Sequence, residues 1–190
     1  MIAQEGVTPM ELTLRDYLEG DLRRNFRLEV SKDAEPTTAQ MWRRLLSPRF
    51  APVLLVRLAQ SSSRAHLGFL AKLFAAMNVS LFGIEVSPKC EIGPGLYLPH
   101  TVGTVIGARR IGPNAMIFQG VTLGAKVLDI RFDPALRPEL GANVTIGAGA
   151  KVLGGIILAD GATVGANSVV TRDVAAGQTV AGIPARATSG

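Results

Sequence analysis

From residue 84 onward the aliphatic side chains fall on a six-residue beat. Leu140, Ile146, Val152, Leu158, Val164 and Val170 are each six positions apart. Four positions after each come Val144, Ala150, Ile156, Ala162, Ser168 and Val174, mostly small or β-branched. The same frame holds at Ile111, Ile117 and Leu123, and earlier at Ile84, Cys90, Leu96 and Val102. A period of six matches neither the 3.6-residue turn of a helix nor the alternation of a flat strand. It matches a parallel β-helix, whose short strands turn a corner every six residues. Large aliphatics fill the interior, and glycine or small residues take the tight corners. Each coil buries its interior only by stacking on the next, so stability is close to a nearest-neighbour sum.

Two interruptions break the beat. The step from Val102 to Ile111 is nine, which predicts three extra residues around Ala108-Arg109-Arg110. The step from Leu123 to Leu140 is 17, which predicts 11 extra residues, roughly Lys126 to Leu136. Insertions in a solenoid leave as loops on one face, often the binding face. Segment 126–136, KVLDIRFDPAL, is therefore a candidate site wall.

Before residue 84 the patterning is helical. Thr8-Pro9-Met10-Glu11 reads as a capping box, with Pro at the first helical position. Leu12, Leu14, Tyr17, Leu18 and Leu22 then recur at helical spacing, and a polar stretch from Ser31 to Thr38 follows. A second helix is predicted from Gln40 to Leu46, and a third from the Ser47-Pro48 cap through Gln60. Ser61-Ser62-Ser63 reads as a break. A last helix spans Arg64 to Met77, with Leu67, Leu70, Ala71 and Phe74 on one face. The expected organisation is a helical N-terminal domain over 1–83 that caps a β-helix over 84–187.

Composition narrows the function classes. The chain has 190 residues, 47% hydrophobic, 18% charged and 5% aromatic, with 21 glycines. Such apolar content excludes intrinsic disorder, and the core must be aliphatic. The single cysteine, Cys90, excludes an intramolecular disulfide and thiolate zinc sites. The net charge of +5 is spread evenly, with 11 Lys and Arg against 8 Asp and Glu before residue 84 and 9 against 7 after it. No basic run is interleaved with aromatics, so a small anionic ligand is expected and a nucleic acid is not. The opening residues lack the basic-then-apolar order of a signal peptide. The longest uncharged run of the apolar region, Leu73 to Ile84, has 12 residues and is too short to span a bilayer. A soluble cytoplasmic protein is expected.

Four segments point to a family. The repeat, the thrown loop, IGAGAKVLG (146–154) and VAGIPAR (180–186) resemble the hexapeptide-repeat acyltransferases. LYLPHTVGTVIG (96–107), QGVTLGA (119–125) and IGAGAK resemble their serine acetyltransferase branch, and the likeness covers about residues 80–187. The resemblance implies a left-handed parallel β-helix, assembled as a homotrimer or a dimer of trimers. It also implies acetyl-CoA bound in a groove between neighbouring β-helices, and a histidine that deprotonates the acceptor hydroxyl.

That histidine matches His100; the other histidine, His66, lies in a helix-like segment. A hydroxyl is a weak nucleophile at neutral pH, and an imidazole can take its proton during attack. The family's supporting carboxylate, 15 residues earlier, falls on Glu85. A coil has about 18 residues, so Glu85 would sit beside His100 and orient the ring. At the loop's end the sequence reads Leu136-Arg137-Pro138, with Arg137 where serine-specific relatives carry histidine. Pro99 replaces an Asp that contacts serine in the family. Arg137 is then expected to grip an anionic or oxygen-rich acceptor. For CoA, the matching positions are Gly124, Ala125, Ala148 and Ala166, with Arg172 and Arg186 as phosphate contacts. No metal is expected: a β-helix zinc enzyme needs three histidines per ion. The resemblance therefore implies an acetyl-CoA-dependent O-acetyltransferase acting on a sugar or another small metabolite. The alternatives are serine O-acetylation and, more remotely, a non-catalytic assembly protein.

Overall fold

The computed structural model describes residues 12–188 except 32, 34 and 46. Four helices open the chain: α1 (Leu14–Glu29), α2 (Thr38–Leu45), α3 (Ala51–Arg64) and α4 (Gly68–Phe82). The capping box expected at Thr8–Glu11 lies outside the described residues. Helix α1 starts on a different one: the Asp16 N–H donates to the Thr13 hydroxyl at 3.3 Å, and the Thr13 N–H to the Asp16 carboxylate at 2.7 Å. The third helix begins at Ala51, four residues after Ser47, because residues 47–50 form a tight turn in which the Phe50 N–H bonds back to Ser47. It also runs straight through Ser61-Ser62-Ser63. The break falls instead at Ala65–Leu67, where His66 takes a left-handed φ of 57°. Of the face expected on α4 only Ala71 is buried, joined by Asn78, whose amide donates to the Pro52 carbonyl at 3.0 Å. Among the described residues no helix is long and apolar enough to cross a membrane.

The rest is a stack of three-sided coils. The first holds β1 (Ile84–Val86) and β2 (Glu91–Ile92), and the second β3 (Thr104–Ile106), β4 (Arg110–Ile111) and β5 (Met116–Ile117). The third holds β6 (Thr122–Gly124), β7 (Glu139–Leu140) and β8 (Thr145–Ile146), and the fourth β9 (Lys151–Leu153), β10 (Ile157–Leu158) and β11 (Thr163–Val164). Strands β12 (Val169–Val170), β13 (Thr179–Gly182) and β14 (Ala185–Ala187) finish the chain. Face A stacks β1, β3, β6, β9 and β12; face B stacks β2, β4, β7 and β10; face C stacks β5, β8, β11 and β13. All these pairings are parallel; only β14 turns back antiparallel on the outer edge of β13.

The register measures the beat directly. Glu139 pairs with Ile157, Thr145 with Thr163 and Lys151 with Val169, each 18 residues on, or three hexapeptides. Across the long insertion Arg110 pairs with Glu139, Met116 with Thr145 and Thr122 with Lys151, each 29 on, which is 18 plus the expected 11. The shorter interruption is elsewhere than expected. Ile84 pairs with Thr104, 20 residues on, whereas Ile106 pairs with Leu123, only 17 on. Two extra residues therefore enter between the buried Leu98 and Ile106, and one is missing between Ile106 and Ile111. Val102 is off the beat and 74% exposed, while Ala108 is fully buried. The expanded corner is Pro99–Gly103.

Inside, Ile84, Ile106, Ile111, Ile117, Leu123, Leu140, Ile146 and Leu158 form one column of buried aliphatics. Leu22 of α1, Phe50, and Val53 and Val56 of α3 extend the same cluster, so the helices close the open end of the stack. They also complete its hydrogen bonding. In the second coil the backward-pointing groups bond to the first: the Arg109 carbonyl accepts from Glu91, the Ile111 carbonyl from Gly93, and the Asn114 N–H donates to Pro94. The first coil has no predecessor, and side chains substitute for one. Gln60 donates to the Cys90 carbonyl at 2.7 Å, and Arg57 to the carbonyls of Ile92 and Gly93, both at 2.7 Å. Asp21 accepts the Gly95 and Leu96 N–H groups at 2.7 and 2.8 Å. Arg57 and Asp21 are fully buried and paired through two bonds of 2.7 and 2.9 Å. Gly20, next to Asp21, has no room for a Cβ, which would lie 2.8 Å from the Pro94 Cβ.

Asp21→Ala should lower unfolding stability by about 3–5 kcal/mol, because it strands a buried guanidinium. Chemical denaturation measures this. The double replacement Asp21→Leu with Arg57→Met removes both charges, yet should still cost about 2 kcal/mol or more through unpaired backbone groups. A double variant as stable as wild type would show that the pair has no capping role.

Candidate active site

His100 sits on the expanded corner, between faces C and A. The corner is fastened on both sides. The Thr101 hydroxyl donates to the Phe82 carbonyl at 2.8 Å, and the Gly103 N–H to the Gly83 carbonyl at 2.9 Å. From the next coil, the Gly120 N–H reaches the Val102 carbonyl at 3.1 Å. Gly103 has a φ of 75°, which suits glycine. His100 itself stays exposed on this rigid support. Glu85 is exposed on the outer side of β1 and pairs with Val105, five residues after His100. The two residues occupy adjacent coils at the same edge of face A, with no hydrogen bond between them among the described residues. His66 lies away from this corner, in the α3–α4 turn.

Two of the CoA candidates stack above His100 on the same side. Ala148 and Ala166 occupy the corresponding corners of the following coils, linked where the Asn167 N–H donates to the Ala148 carbonyl at 2.8 Å. Gly124 and Ala125 lie on the opposite edge of face A, at the corner between faces A and B. Gly124 borders open space, since a Cβ there would meet nothing within 4 Å. Arg172 is exposed at the same corner, and Lys126 spans the gap by donating to the Thr171 carbonyl at 3.2 Å. Arg186 is exposed on β14. Within one chain His100, Ala148 and Ala166 thus lie at one edge of face A and Gly124, Ala125 and Arg172 at the other, while Arg186 belongs to face C.

The long insertion leaves from the A–B corner. Arg137, expected to face an acceptor, points inward instead. Its Nε donates to Asp129 Oδ2 at 2.9 Å and its Nη1 to the Gly107 carbonyl at 2.8 Å. The side chain is 11% exposed, with Asp129 at 6%. Burial pushes the Asp129 carboxyl up, but Arg137 and the amides of Asp133 and Phe132 outweigh it and hold it below the ordinary carboxylate range. Sequence reasoning missed this partner; opposite charges eight residues apart at the ends of an insertion were the available signal. It also missed Asp21, Arg57 and Gln60, which carry no motif. Cys90 offers no nucleophile: burial, and then Glu91, push its thiol up to about 12. Among the described residues no three His, Cys, Asp or Glu side chains are grouped to hold a metal.

Known proteins resemble this chain in sequence and fold. Residues 137–172 match the bacterial transferase hexapeptide (six repeats) family. A serine acetyltransferase of Helicobacter pylori strain J99 is 36% identical over 164 residues, covering 85% of this chain and 94% of that protein. The Neisseria gonorrhoeae serine acetyltransferase in complex with serine superposes with a TM-score of 0.77 at 28% identity, covering 93% of this chain and 69% of that one. A serine acetyltransferase in complex with CoA gives 0.77 at 28% identity, covering 92% and 69%. The shared architecture is the left-handed parallel β-helix behind N-terminal helices. With 36% identity over 164 residues, nearly the whole length of the Helicobacter enzyme, the chain belongs to the serine acetyltransferase family.

Proposed function

We propose that this protein is a serine O-acetyltransferase, with acetyl-CoA as donor and His100 as general base. The observation that carries this reading is the likeness to the Helicobacter serine acetyltransferase along almost its full length. The relatives solved with serine and with CoA add to it. A sugar acceptor was the expectation from Arg137, and that argument falls away: the guanidinium is engaged by Asp129 and Gly107. Pro99 remains the one feature favouring a different hydroxyl acceptor, since it removes a carboxylate beside His100.

Acetyl-CoA supplies an activated acetyl thioester. His100 takes the proton of the acceptor hydroxyl as its oxygen forms the new ester bond, and returns that proton to the sulfur that leaves. The fastened corner fixes the backbone that carries His100, which lowers the entropic cost of attack. In this reading Glu85 orients the ring. For CoA, the open edge at Gly124 and Ala125 and the small residues Ala148 and Ala166 allow close backbone approach, with Arg172 and Arg186 available to phosphates. Gly124, Ala125 and Arg172 lie on the opposite edge of face A from His100, Ala148 and Ala166, so a complete site needs the A–B corner of one protomer against the C–A corner of another. A homotrimer, alone or doubled, provides that arrangement.

Four outcomes follow from this reading. His100→Ala should reduce kcat by about a hundred- to ten-thousand-fold while acetyl-CoA affinity measured by calorimetry stays nearly unchanged. Glu85→Gln should cost less, since the ring survives with poorer orientation. In an assay of CoA release by thiol reagent, free serine should outperform homoserine and nucleotide sugars. A sugar turning over while serine does not would replace serine as the acceptor. Light scattering should give three subunits or a multiple of three, and a monomer at working concentration would remove the shared site.

A further inference from the structure

The insertion is fastened at its base by one side chain from its own far end. All three guanidinium nitrogens of Arg137 are engaged. Nε and Nη2 meet Asp129 Oδ2 at 2.9 and 2.7 Å, Nη2 reaches the Asp129 carbonyl at 3.2 Å, and Nη1 reaches the Gly107 carbonyl at 2.8 Å. Asp129 also accepts the Asp133 N–H at 2.8 Å, which closes the chain into a compact turn. The Phe132 ring covers the pair, its centroid 4.0 Å from the guanidinium carbon and 5.7 Å from the Lys89 ammonium of the first coil. Phe132 has a φ of 60°, a conformation a bulky side chain keeps only where its surroundings hold it. Gly107 makes room for the arrangement, because a Cβ there would lie 2.7 Å from Nη1. Beyond this closed base the loop exposes apolar side chains, with Leu128 at 89% and Ile130 at 86%.

We propose that Arg137 is a positioning residue that locks loop 126–136 into a preformed wall beside the acceptor, setting the acceptor's fit without touching it. The word acceptor rests on the acyltransferase reading above; the lock itself does not. To bind an acceptor directly, Arg137 would have to leave Asp129, stranding a carboxylate that is almost fully covered. A shielded pair of this kind, two guanidinium nitrogens on one carboxylate oxygen, holds geometry far better than an exposed one.

Trypsin cleavage after Arg131, with no ligand present, reads the lock alone. Wild type should resist, whereas Asp129→Asn and Arg137→Ala should each be cut about tenfold faster or more as the loop opens locally. Arg137→Lys should resemble the alanine variant, since an ammonium cannot fork between Asp129 and Gly107. Thermal midpoints should hold, because the loop lies outside the buried column. In the transfer assay both variants should raise the acceptor KM about ten- to a hundredfold with a smaller change in kcat. The double variant should be no worse than either single one. If Asp129→Asn leaves the loop protected, or leaves the acceptor KM unchanged while Arg137→Ala raises it, Arg137 binds the acceptor itself and the proposal is wrong. If no acceptor turns over yet the cleavage pattern appears, the lock stands and the acyltransferase reading fails.

Discussion

A β-helix has to begin somewhere, and its first coil presents a row of backbone groups with nothing beneath them. Here that row is met by Asp21, Arg57 and Gln60, each taking the place that a preceding coil would occupy. Everything above depends on this contact, because each coil is held in register by the one below it. The ion pair makes up only part of the effect. A buried pair of charges can be close to neutral for stability, but this one also satisfies four main-chain groups that would otherwise be buried without partners. The helices are therefore less a separate module than the foundation of the stack, and their apolar residues run into its core.

The chemistry sits where the repeat is broken. A regular coil turns two of every six side chains inward, as at Leu140 and Val144 or Ile146 and Ala150, and leaves no spare chain with which to present a side chain. Two residues added at Pro99–Gly103 lift His100 out of the wall, and 11 added after Gly124 build the loop on the opposite edge. Regular coils above and below keep both features rigid, as Gly83 and Gly120 do for the histidine corner. The scaffold supplies stiffness, and the irregularities supply the groups that act.

The interior was legible in the sequence because its spacing is fixed by the wall: six residues span one side, so the inward aliphatics repeat at that interval wherever the wall is regular. Val102 shows the limit of that rule. It continues the count Ile84, Cys90, Leu96, but the pairing register sets Val86 against Ile106 and Ile92 against Ile111, so that count runs two residues off the beat from its start. Helix ends were less legible, since Ser61-Ser62-Ser63 has the composition of a break but lies on α3, where Ser62 packs inward. His100 could be singled out because it stands within a recognisable segment. The role of Arg137 could not, because a guanidinium reads the same whether it faces a ligand or a carboxylate eight residues away.

At the far end of the stack, face C is closed in a different way. Strand β14 folds back antiparallel onto the outer edge of β13, with Arg186 opposite Ala181. Parallel coils invite another coil of the same kind, and an uncovered terminal ladder is a template for end-to-end polymerisation. A reversed strand offers the wrong polarity for a further coil, and its arginine adds a charge at the rim. With one end seated on helices and one face of the other turned back on itself, the two ends of the solenoid are unlike. Such a stack resists growing into a fibre, and its flat sides remain the surfaces on which it can meet its own kind.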